Sequence, residues 1–236
     1  MKRLTLLFLL FFLPACTAAT RTSELYYRYI SPTPVISLDN KKLAHGPEFR
    51  FSRAIMPVDS PFNALLESMA ARDHFPDTAA LQQMFQQYPW LENVGVFDTA
   101  GKILEQIGPD FQVDTDRLAA MENPDERRPR LLRDSAGLFV LLHPVYADNI
   151  WAGFKAASFR PDKLMGLSAQ ADQLALFLED SPVFCGPSFS FPETMRHKLQ
   201  KDRAPRNRFQ HKDMQYCWLR RNIGGCWLIY AYAEKS

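Results

Sequence analysis

Apolar residues repeat with helical spacing at the start of the globular region. One stripe falls at positions i, i+3, i+4 and i+7, which is one face of a helix, and its members are Phe62, Leu65, Leu66 and Met69. Ser60 followed by Pro61 is typical of an N-cap with proline at the first helical position, so we expect this helix to begin there. Asp77 predicts the cap of a second helix, which ends near Pro89. Its inward residues are Leu81, Met84 and Phe85.

Shorter apolar runs predict strands in the next segment. Residues 94–97 and 102–107 have the pattern of two strands. They are joined by a tight turn in which Asp98 can bond to its own backbone and Gly101 can adopt positive φ. The later predicted elements are a short helix at 116–121, a charged loop at 122–130, a small strand at 130–134, and a hairpin of strands 137–146 and 150–159 around the turn 147–149.

The order helix, two strands, helix and three strands in a meander is that of a PAS-like fold. Residues 94–103, V-G-V-F-D-T-A-G-K-I, resemble a hairpin of the Cache family of extracytoplasmic sensor domains. H-P-V-Y at 143–146 and W-A-G-F at 151–154 are similar to the paired final strands of such a domain. The resemblance covers roughly residues 61–178. It implies an α+β fold with a PAS/Cache-like antiparallel five-stranded sheet, flanking helices and a long exit helix from Pro161 onward.

The C-terminal residues predict a smaller β-hairpin region. Two apolar runs, 216–219 and 226–232, flank the glycine pair 224–225 and predict a hairpin, and residues 183–185 are strand-like. The sequence G-C-W-L-I-Y at the start of the second run resembles the closing strand of a second, membrane-proximal Cache module. Too few residues remain for a complete module. We therefore expect residues 179–236 to be either a degenerate second module or an α+β extension packed on the first.

The N-terminus has the pattern of a signal peptide. Lys2 and Arg3 precede an almost wholly apolar run, residues 4–13, which is far shorter than the roughly 20 residues that cross a bilayer. L-P-A-C at 13–16 resembles the lipobox of bacterial lipoproteins. This resemblance implies cleavage before Cys16 and a permanent lipid anchor on that cysteine, with acyl chains in the membrane.

The residues after Cys16 bear on location and domain boundaries. By the same resemblance, Thr17 implies the outer rather than the inner membrane, with the chain on its periplasmic face in the cell envelope. The alternative is an ordinary signal peptide cut at Ala18 or Ala19. The expected divisions are a signal peptide at 1–15, a lipid-anchored tether at 16–45, a Cache-like domain at 46–178 and the C-terminal region at 179–236.

Charge excludes one class of partner. Without Lys2 and Arg3, the 28 basic residues become 26 and match the 26 acidic ones. A neutral, exported chain is not expected to bind nucleic acid. One local exception is a basic segment, for which we weigh docking to anionic lipid headgroups or an acidic partner against a solvated surface. Its members are Arg196, Lys198, Lys201, Arg203, Arg206, Arg208 and Lys212.

Three cysteines remain beyond Cys16, and disulfides are permitted outside the cytoplasm. Cys217 and Cys226 lie on the two strands of the predicted hairpin, where residues opposed across the strands can be bridged. A disulfide from Cys185 to either of them is the competing pairing, and one thiol stays free in any case. No metal site is expected, because no CxxC motif or close histidine pair accompanies these cysteines.

The Cache resemblance also implies a ligand pocket between the sheet and the helix-loop segment that crosses it. The residues it would place at the rim or wall are Arg130, Arg133, Tyr146, Asp148 and Trp151. Arginine offers a planar donor fork to a carboxylate or phosphate. We therefore expect a small anionic or amino-acid-like ligand. The alternative is that the two arginines balance the acids of a solvated loop, namely Glu122, Asp125 and Glu126.

Two functions follow from these observations. The first is a lipid-anchored sensing or ligand-binding module that acts through an envelope protein partner. The second is a structural or interaction lipoprotein of the cell envelope without a small ligand. Enzymatic activity and a cofactor are not expected, because the sequence lacks the common nucleophile, metalloprotease and phosphate-loop motifs. An open cavity lined by Arg or Tyr favours the first function. One filled by side chains such as Phe139, Phe154 and Trp151 favours the second.

Overall fold

The computed structural model describes residues 46–71, 74–111, 128–134, 137–201 and 204–235, all within one structural unit of the chain. The predicted signal peptide and tether, with Cys16, lie outside these residues. So do the predicted helix at 116–121 and most of the charged loop after it. The described part forms two antiparallel five-stranded sheets and a few helices.

The first helix is longer than the sequence pattern indicated. Helix α1 spans Pro47–Ala70, a run of 24 residues that contains Pro57 and Pro61. The prediction that it begins at Ser60 was therefore wrong. A proline inside a helix removes a hydrogen bond and costs about 3 kcal/mol, but here the apolar stripe continues upstream and its burial offsets that cost. The buried residues of the longer stripe are Phe51, Ala54, Ile55, Val58, Phe62, Leu65 and Met69.

The second helix follows the prediction. Helix α2 spans Thr78–Gln87, and the side chain of Asp77 caps it by accepting a hydrogen bond from Ala80 N at 2.8 Å. Leu81 is buried, as its place in the stripe indicated. The helix packs against the first two strands and covers one face of the first sheet.

The first sheet contains five strands in the order β2-β1-β5-β4-β3, which confirms the predicted antiparallel five-stranded sheet. In the β1–β2 turn, Asp98 Oδ1 accepts hydrogen bonds from Ala100 N at 2.9 Å and Lys102 N at 2.8 Å. Asp148 and Asn149 both have positive φ in the β4–β5 turn, as a two-residue hairpin loop requires. The strands are β1 Leu91–Asp98, β2 Ile103–Ile107, β3 Arg130–Arg133, β4 Phe139–Ala147 and β5 Ile150–Phe159.

The C-terminal part holds more than the predicted hairpin, because it forms a second sheet of five strands in the order β7-β6-β10-β9-β8. The predicted long exit helix is wrong, since helix α3 spans only Pro161–Met165 and a 3-10 turn follows at Ala171–Gln173. Strand β6 occupies the region where that helix was expected. The elements are β6 Leu174–Leu178, β7 Ser181–Cys185, helix α4 Glu193–Lys201, β8 Arg206–His211, β9 Met214–Ile223 and β10 Cys226–Lys235.

Helix α1 packs against both sheets. Its C-terminal half contacts the first sheet through Phe62, whose ring centroid lies 5.8 Å from that of Phe159 and 6.5 Å from that of Trp90. Two ion pairs, one from its first turn and one from its middle, bind the helix to the second sheet. Arg50 donates to both carboxylate oxygens of Glu234 on β10, at 2.6 and 2.8 Å.

The second ion pair is buried. Asp59 on α1 accepts two hydrogen bonds from Arg221 on β9, and the two residues are only 6% and 9% exposed. Nearby, burial and the negative charge of Asp59 raise the pKa of Tyr230. A buried ion pair of this kind fixes which groups must face each other, even where its net stabilisation is small.

The hairpin register contradicts the predicted Cys217–Cys226 disulfide. Cys217 lies opposite Tyr232, and Cys226 lies opposite Ile223, so the two sulfurs are separated by several residues along the strands. Both are free thiols in the structure, as is Cys185. Burial, followed by the charge of Glu234, raises the pKa of Cys217 to about 12.

We predict that replacing Asp59 with alanine lowers the free energy of unfolding by about 3–5 kcal/mol, because Arg221 is then buried without its counter-charge. The double variant Asp59→Leu/Arg221→Met should recover most of this loss. Urea unfolding measures both. Arg160→Ala, which removes the half-exposed pair with Asp162, is the control and should hardly move the midpoint. A midpoint for Asp59→Ala as high as that of the control would contradict the prediction.

We also predict that Cys185, Cys217 and Cys226 are all free thiols after unfolding without reductant. In the folded chain at pH 8, exposed Cys185 should react with a thiol reagent while buried, protonated Cys217 should not. Thiol titration before and after adding denaturant measures this. A single thiol among these three in the unfolded sample would show that two of them are bridged and would contradict the prediction.

Candidate functional site

A cavity of about 630 Å³ lies between one end of the first sheet and strand β7 of the second. We call it the junction cavity. Residues of the first sheet and of the segments that leave it form most of the wall, and two β7 residues complete it. They are Glu92, Asn93, Pro109, Asp110, Arg133, Gly137, Leu138, Arg160, Pro161, Asp162, Val183 and Phe184.

The segment after β2 is held against β1 at the edge of this cavity. Gly108 has φ +99°, and a Cβ there would lie 2.6 Å from the carbonyl oxygen of Glu92, so only glycine fits. Asn93, which is 2% exposed, donates from Nδ2 to Pro109 O at 3.1 Å and accepts from Ser158 Oγ. This buried amide holds the wall segment at Pro109 against strand β1.

Most charges in the wall are already paired. Arg160 donates to both oxygens of Asp162, at 3.0 and 2.9 Å, and these hydrogen bonds lower the pKa of that carboxyl. Glu92 lies 3.0 Å from the ammonium of Lys163.

Arg133 differs from the other charged wall residues. It is exposed on β3, and no ion pair joins it to another residue in the described ranges. Asp110 accepts a hydrogen bond from Gln106 at 2.7 Å. The cavity therefore presents one guanidinium whose donors are not committed to a described carboxylate.

Arg130 lies on the same strand but at the other end. Its stem packs beside the β9–β10 turn, where a Cβ on Gly224 would lie 3.1 Å from Arg130 Cγ and 2.2 Å from Pro129 O. Gly224 also has φ +56°, so this contact between the two sheets requires glycine. Arg130 is thus at the junction of the sheets but does not line the cavity.

The other three predicted site residues lie at the opposite end of the first sheet. Tyr146 is opposite Trp151, and Asp148 is in the turn that joins their strands. Arg133 is opposite Phe139, seven residues before Tyr146 on β4, so at the usual rise per residue the groups are about 23 Å apart. The structure therefore does not bring the five predicted residues together in one site.

The sheet face near Trp151 is filled with aromatic side chains. The indole of Trp151 donates to Gly153 O at 2.9 Å and packs on Phe154, with ring centroids 5.3 Å apart. Phe97 and Phe111 pack edge-on at 5.1 Å in the same cluster. Among the described residues, these side chains pack together with Val140, Leu142 and Ala156 into one hydrophobic cluster on this face.

Sequence reasoning missed Asn93 and Arg160. Asn93 directly precedes the apolar run 94–97, and an amide that is buried there needs a specific hydrogen-bond partner. Arg160-Pro161-Asp162 follows the last strand of the first sheet with two opposite charges. Neither signal shows that the residues share a wall, because their positions are far apart in the sequence.

The described residues contain neither a candidate metal cluster nor a candidate membrane-spanning helix. In those ranges, no group of three or more His, Cys, Asp or Glu side chains could hold a metal ion. Of the helices that the structure describes, none is both long and apolar enough to cross a membrane.

The fold is similar to solved structures of extracellular sensor domains. For an extracellular ligand-binding receptor from Desulfohalobium retbaense, the TM-score is 0.55 and the identity 17% over 79% of this chain, which spans only 40% of that receptor. For the extracellular domain of rpHK1S-Z16, described as a histidine kinase, the TM-score is 0.50 and the identity 16%, with 83% of this chain and 90% of that domain covered. No family profile and no curated protein matches the sequence.

At these identities the similarities establish the fold alone. The two antiparallel five-stranded sheets fit a double Cache-like architecture. The predicted α+β, PAS/Cache-like fold class is therefore confirmed.

We predict that Asn93→Ala lowers the free energy of unfolding by about 1–3 kcal/mol, because Ser158 loses its buried acceptor and Pro109 O its donor. Urea denaturation measures the loss. Asn63→Ala is the matched control, since that amide only donates to Glu67 on the surface of α1. Equal midpoints for the two variants would show that Asn93 does not hold the cavity wall.

Proposed function

We propose that this chain is a lipid-anchored, extracytoplasmic sensing module of the cell envelope that binds a small anionic or amino-acid-like ligand. The ligand binds in the junction cavity, and a partner protein reads the bound state. Lipidation of Cys16, on the periplasmic face and at the outer membrane, is part of this proposal. The single observation that carries it is the uncommitted guanidinium of Arg133 in a cavity between two modules of a Cache-like fold.

The charges of the wall favour a carboxylate ligand. Because Arg160 and Asp162 neutralise each other and Glu92 is paired with Lys163, Arg133 is the cation among the described wall residues that remains for an anion. A guanidinium binds a carboxylate or phosphate through two parallel hydrogen bonds. Asp110 offers a carboxylate to the amino group of an amino-acid-like ligand.

The size of the cavity also suits a small molecule. Its volume of about 630 Å³ falls within the range of roughly 300–1,000 Å³ that is usual for ligand sites. Phe184 and Val183 supply apolar surface from the second module opposite the polar wall. A ligand with one charged end and one apolar end would contact both modules.

Contact with both modules gives the ligand a way to act. A molecule bound between Arg133 and β7 stabilises whichever relative position of the two sheets closes around it. The equilibrium then shifts by the difference in affinity between the open and closed arrangements. A lipid on Cys16 would reach one leaflet only, so a partner protein carries the signal further.

The alternative proposal is a structural or interaction lipoprotein of the cell envelope. The observation that favours it is the packed aromatic face around Phe97, Phe111 and Phe154, where the sequence resemblance implied a pocket. In that case, the sheets are a scaffold and the junction cavity holds only solvent.

A thermal-shift screen of the purified chain against amino acids, carboxylates, polyamines and purines decides between these proposals. A ligand at 100 times its dissociation constant stabilises the fold by about 2.7 kcal/mol, which raises Tm by roughly 5–10 °C for a chain of this size. We expect a carboxylate to give such a shift and Arg133→Ala to abolish it. Arg206→Ala, on the far edge of the second sheet, should leave it unchanged.

The variant Trp151→Ala tests which end of the first sheet binds the ligand. If this variant abolishes the shift while Arg133→Ala retains it, the ligand binds at the β4–β5 turn and not in the junction cavity. A flat screen with the well-folded chain favours the scaffold proposal.

A further inference from the structure

Strand β8 and the segments beside it form an exposed basic surface, which we call the basic edge. Strand β8 is the last strand of the second sheet, so one side of it faces no other strand of that sheet. Six basic residues of α4, β8 and the β8–β9 turn are exposed there. They are Arg196, Lys198, Lys201, Arg206, Arg208 and Lys212.

The cations lie on both faces of this edge. Phe209 points to the core that α4 covers, since its ring stacks on Tyr216 at 5.0 Å, and the ammonium of Lys198 lies 5.2 Å from the same ring. Arg206 and Arg208 alternate with Phe209 along the strand and therefore point to the opposite face. A flat anionic surface that meets the edge can contact both groups.

Three exposed acids, Glu48, Glu193 and Asp213, lie among or beside the six cations of the basic edge, which outnumber them. Within the described ranges, Arg208 is the one member of the set that forms an ion pair, with Glu48 at 3.6 Å. Both side chains are at least half exposed, so this pair is weak. The surface therefore carries a net positive charge although the mature chain is neutral overall.

The beginning and the end of the described fold lie beside this edge. Glu48, in the first turn of α1, contacts Arg208, and Arg50 one half-turn later bonds to Glu234 near the end of β10. The segment that would connect the fold to a lipid on Cys16 thus joins it next to the cations. Residues 17–45 can span at most roughly 100 Å, which keeps the edge within reach of the membrane.

We propose that the basic edge docks on anionic phospholipid headgroups of the membrane that holds the lipid anchor. This proposal rests on the lipidated Cys16 of the proposed function. Since the acyl chains already hold the chain permanently, docking orients the module: it places the N-terminal turn of α1 toward the membrane.

The chemistry of the edge favours headgroups over a protein partner. Stable protein interfaces need an apolar or aromatic centre that loses its water. Here the aromatic rings of Phe191 and Phe209 lie under Arg196 and Lys198. None of the large apolar side chains exposed in the described part, which are Leu104, Ile150 and Leu167, belongs to this edge. Headgroup attraction requires only charge within a Debye length of the surface.

The test uses the full lipidated chain in vesicles, either of phosphatidylglycerol mixed with phosphatidylcholine or of phosphatidylcholine alone. Exposed amines are acetylated, and the rate at each lysine is measured by mass spectrometry. We expect Lys198, Lys201 and Lys212 to react several-fold more slowly on the anionic vesicles. Lys102, exposed in the β1–β2 turn, should react at the same rate on both.

Charge reversal sharpens the test. The double variant Arg206→Glu/Arg208→Glu leaves the three reporter lysines in place. Each basic group contributes about a fivefold preference for an anionic surface. The double reversal should therefore lower the docking equilibrium constant more than ~100-fold, and labelling of the lysines should recover. Lys102→Glu is the matched reversal away from the edge and should keep the protection. Adding 0.5 M salt shortens the Debye length to roughly 4 Å. This screening should also restore labelling of the unmodified chain.

Each other outcome has a distinct meaning. Equal labelling on both vesicles overturns the proposal and leaves the cations as protection of an edge strand against pairing. Protection in native envelopes but not on anionic vesicles also overturns it, in favour of an acidic protein. Release of the chain from vesicles at high salt would instead refute the lipid anchor, which a Cys16→Ser variant checks separately.

Discussion

Helix α1 is the element on which the rest of the structure depends, and its buried Asp59–Arg221 pair fixes its position. Each sheet has an apolar face that must be buried, so each needs an apolar partner that packs on it. Phe62 supplies that partner for the first sheet, and Phe51 supplies it for the second, where its ring centroid lies 6.4 Å from that of Tyr232. Two charges that must meet inside a low-dielectric core permit one register of the helix on β9 and exclude neighbouring ones.

The junction cavity follows from this arrangement. Because one helix connects both sheets, their facing edges leave a space that neither fills, and Arg133 from one side and Phe184 from the other line it. A site between modules responds to their relative position, whereas a site inside one module responds only to its own loops. In the proposed sensing role, the surfaces that bind the ligand are therefore the same surfaces that move relative to each other.

Local chemistry decided which parts of the fold could be predicted from the sequence. The β1–β2 and β4–β5 turns were predictable because Asp98, Asp148 and Asn149 act through their own backbone. The β9–β10 register could also have been predicted. A two-residue turn at 224–225 pairs Ile223 with Cys226, and counting back along the strands from that pair places Cys217 opposite Tyr232. The disulfide prediction failed because it ignored that count.

Other features depend on contacts that no local pattern contains. Strand β6 is apolar on successive positions because both its faces are buried, so the alternation that identifies a half-buried strand is absent. Ser60-Pro61 has the composition of a helix start, but burial of the longer α1 stripe overrides it. The junction cavity collects residues from positions 92 to 184, and only the tertiary structure shows that Arg133 faces β7 while Tyr146 does not.

The long sequence separation of the α1 contacts has a consequence for biogenesis. The Arg50–Glu234 pair joins residues 184 positions apart, and Asp59–Arg221 joins residues 162 apart. A chain that emerges N-terminus first from a ribosome presents α1 long before the last strands appear. Until then the apolar stripe of α1 lacks half of its cover, and non-local closure is slow. The risk that this stripe aggregates therefore lasts until β9 and β10 have been synthesised.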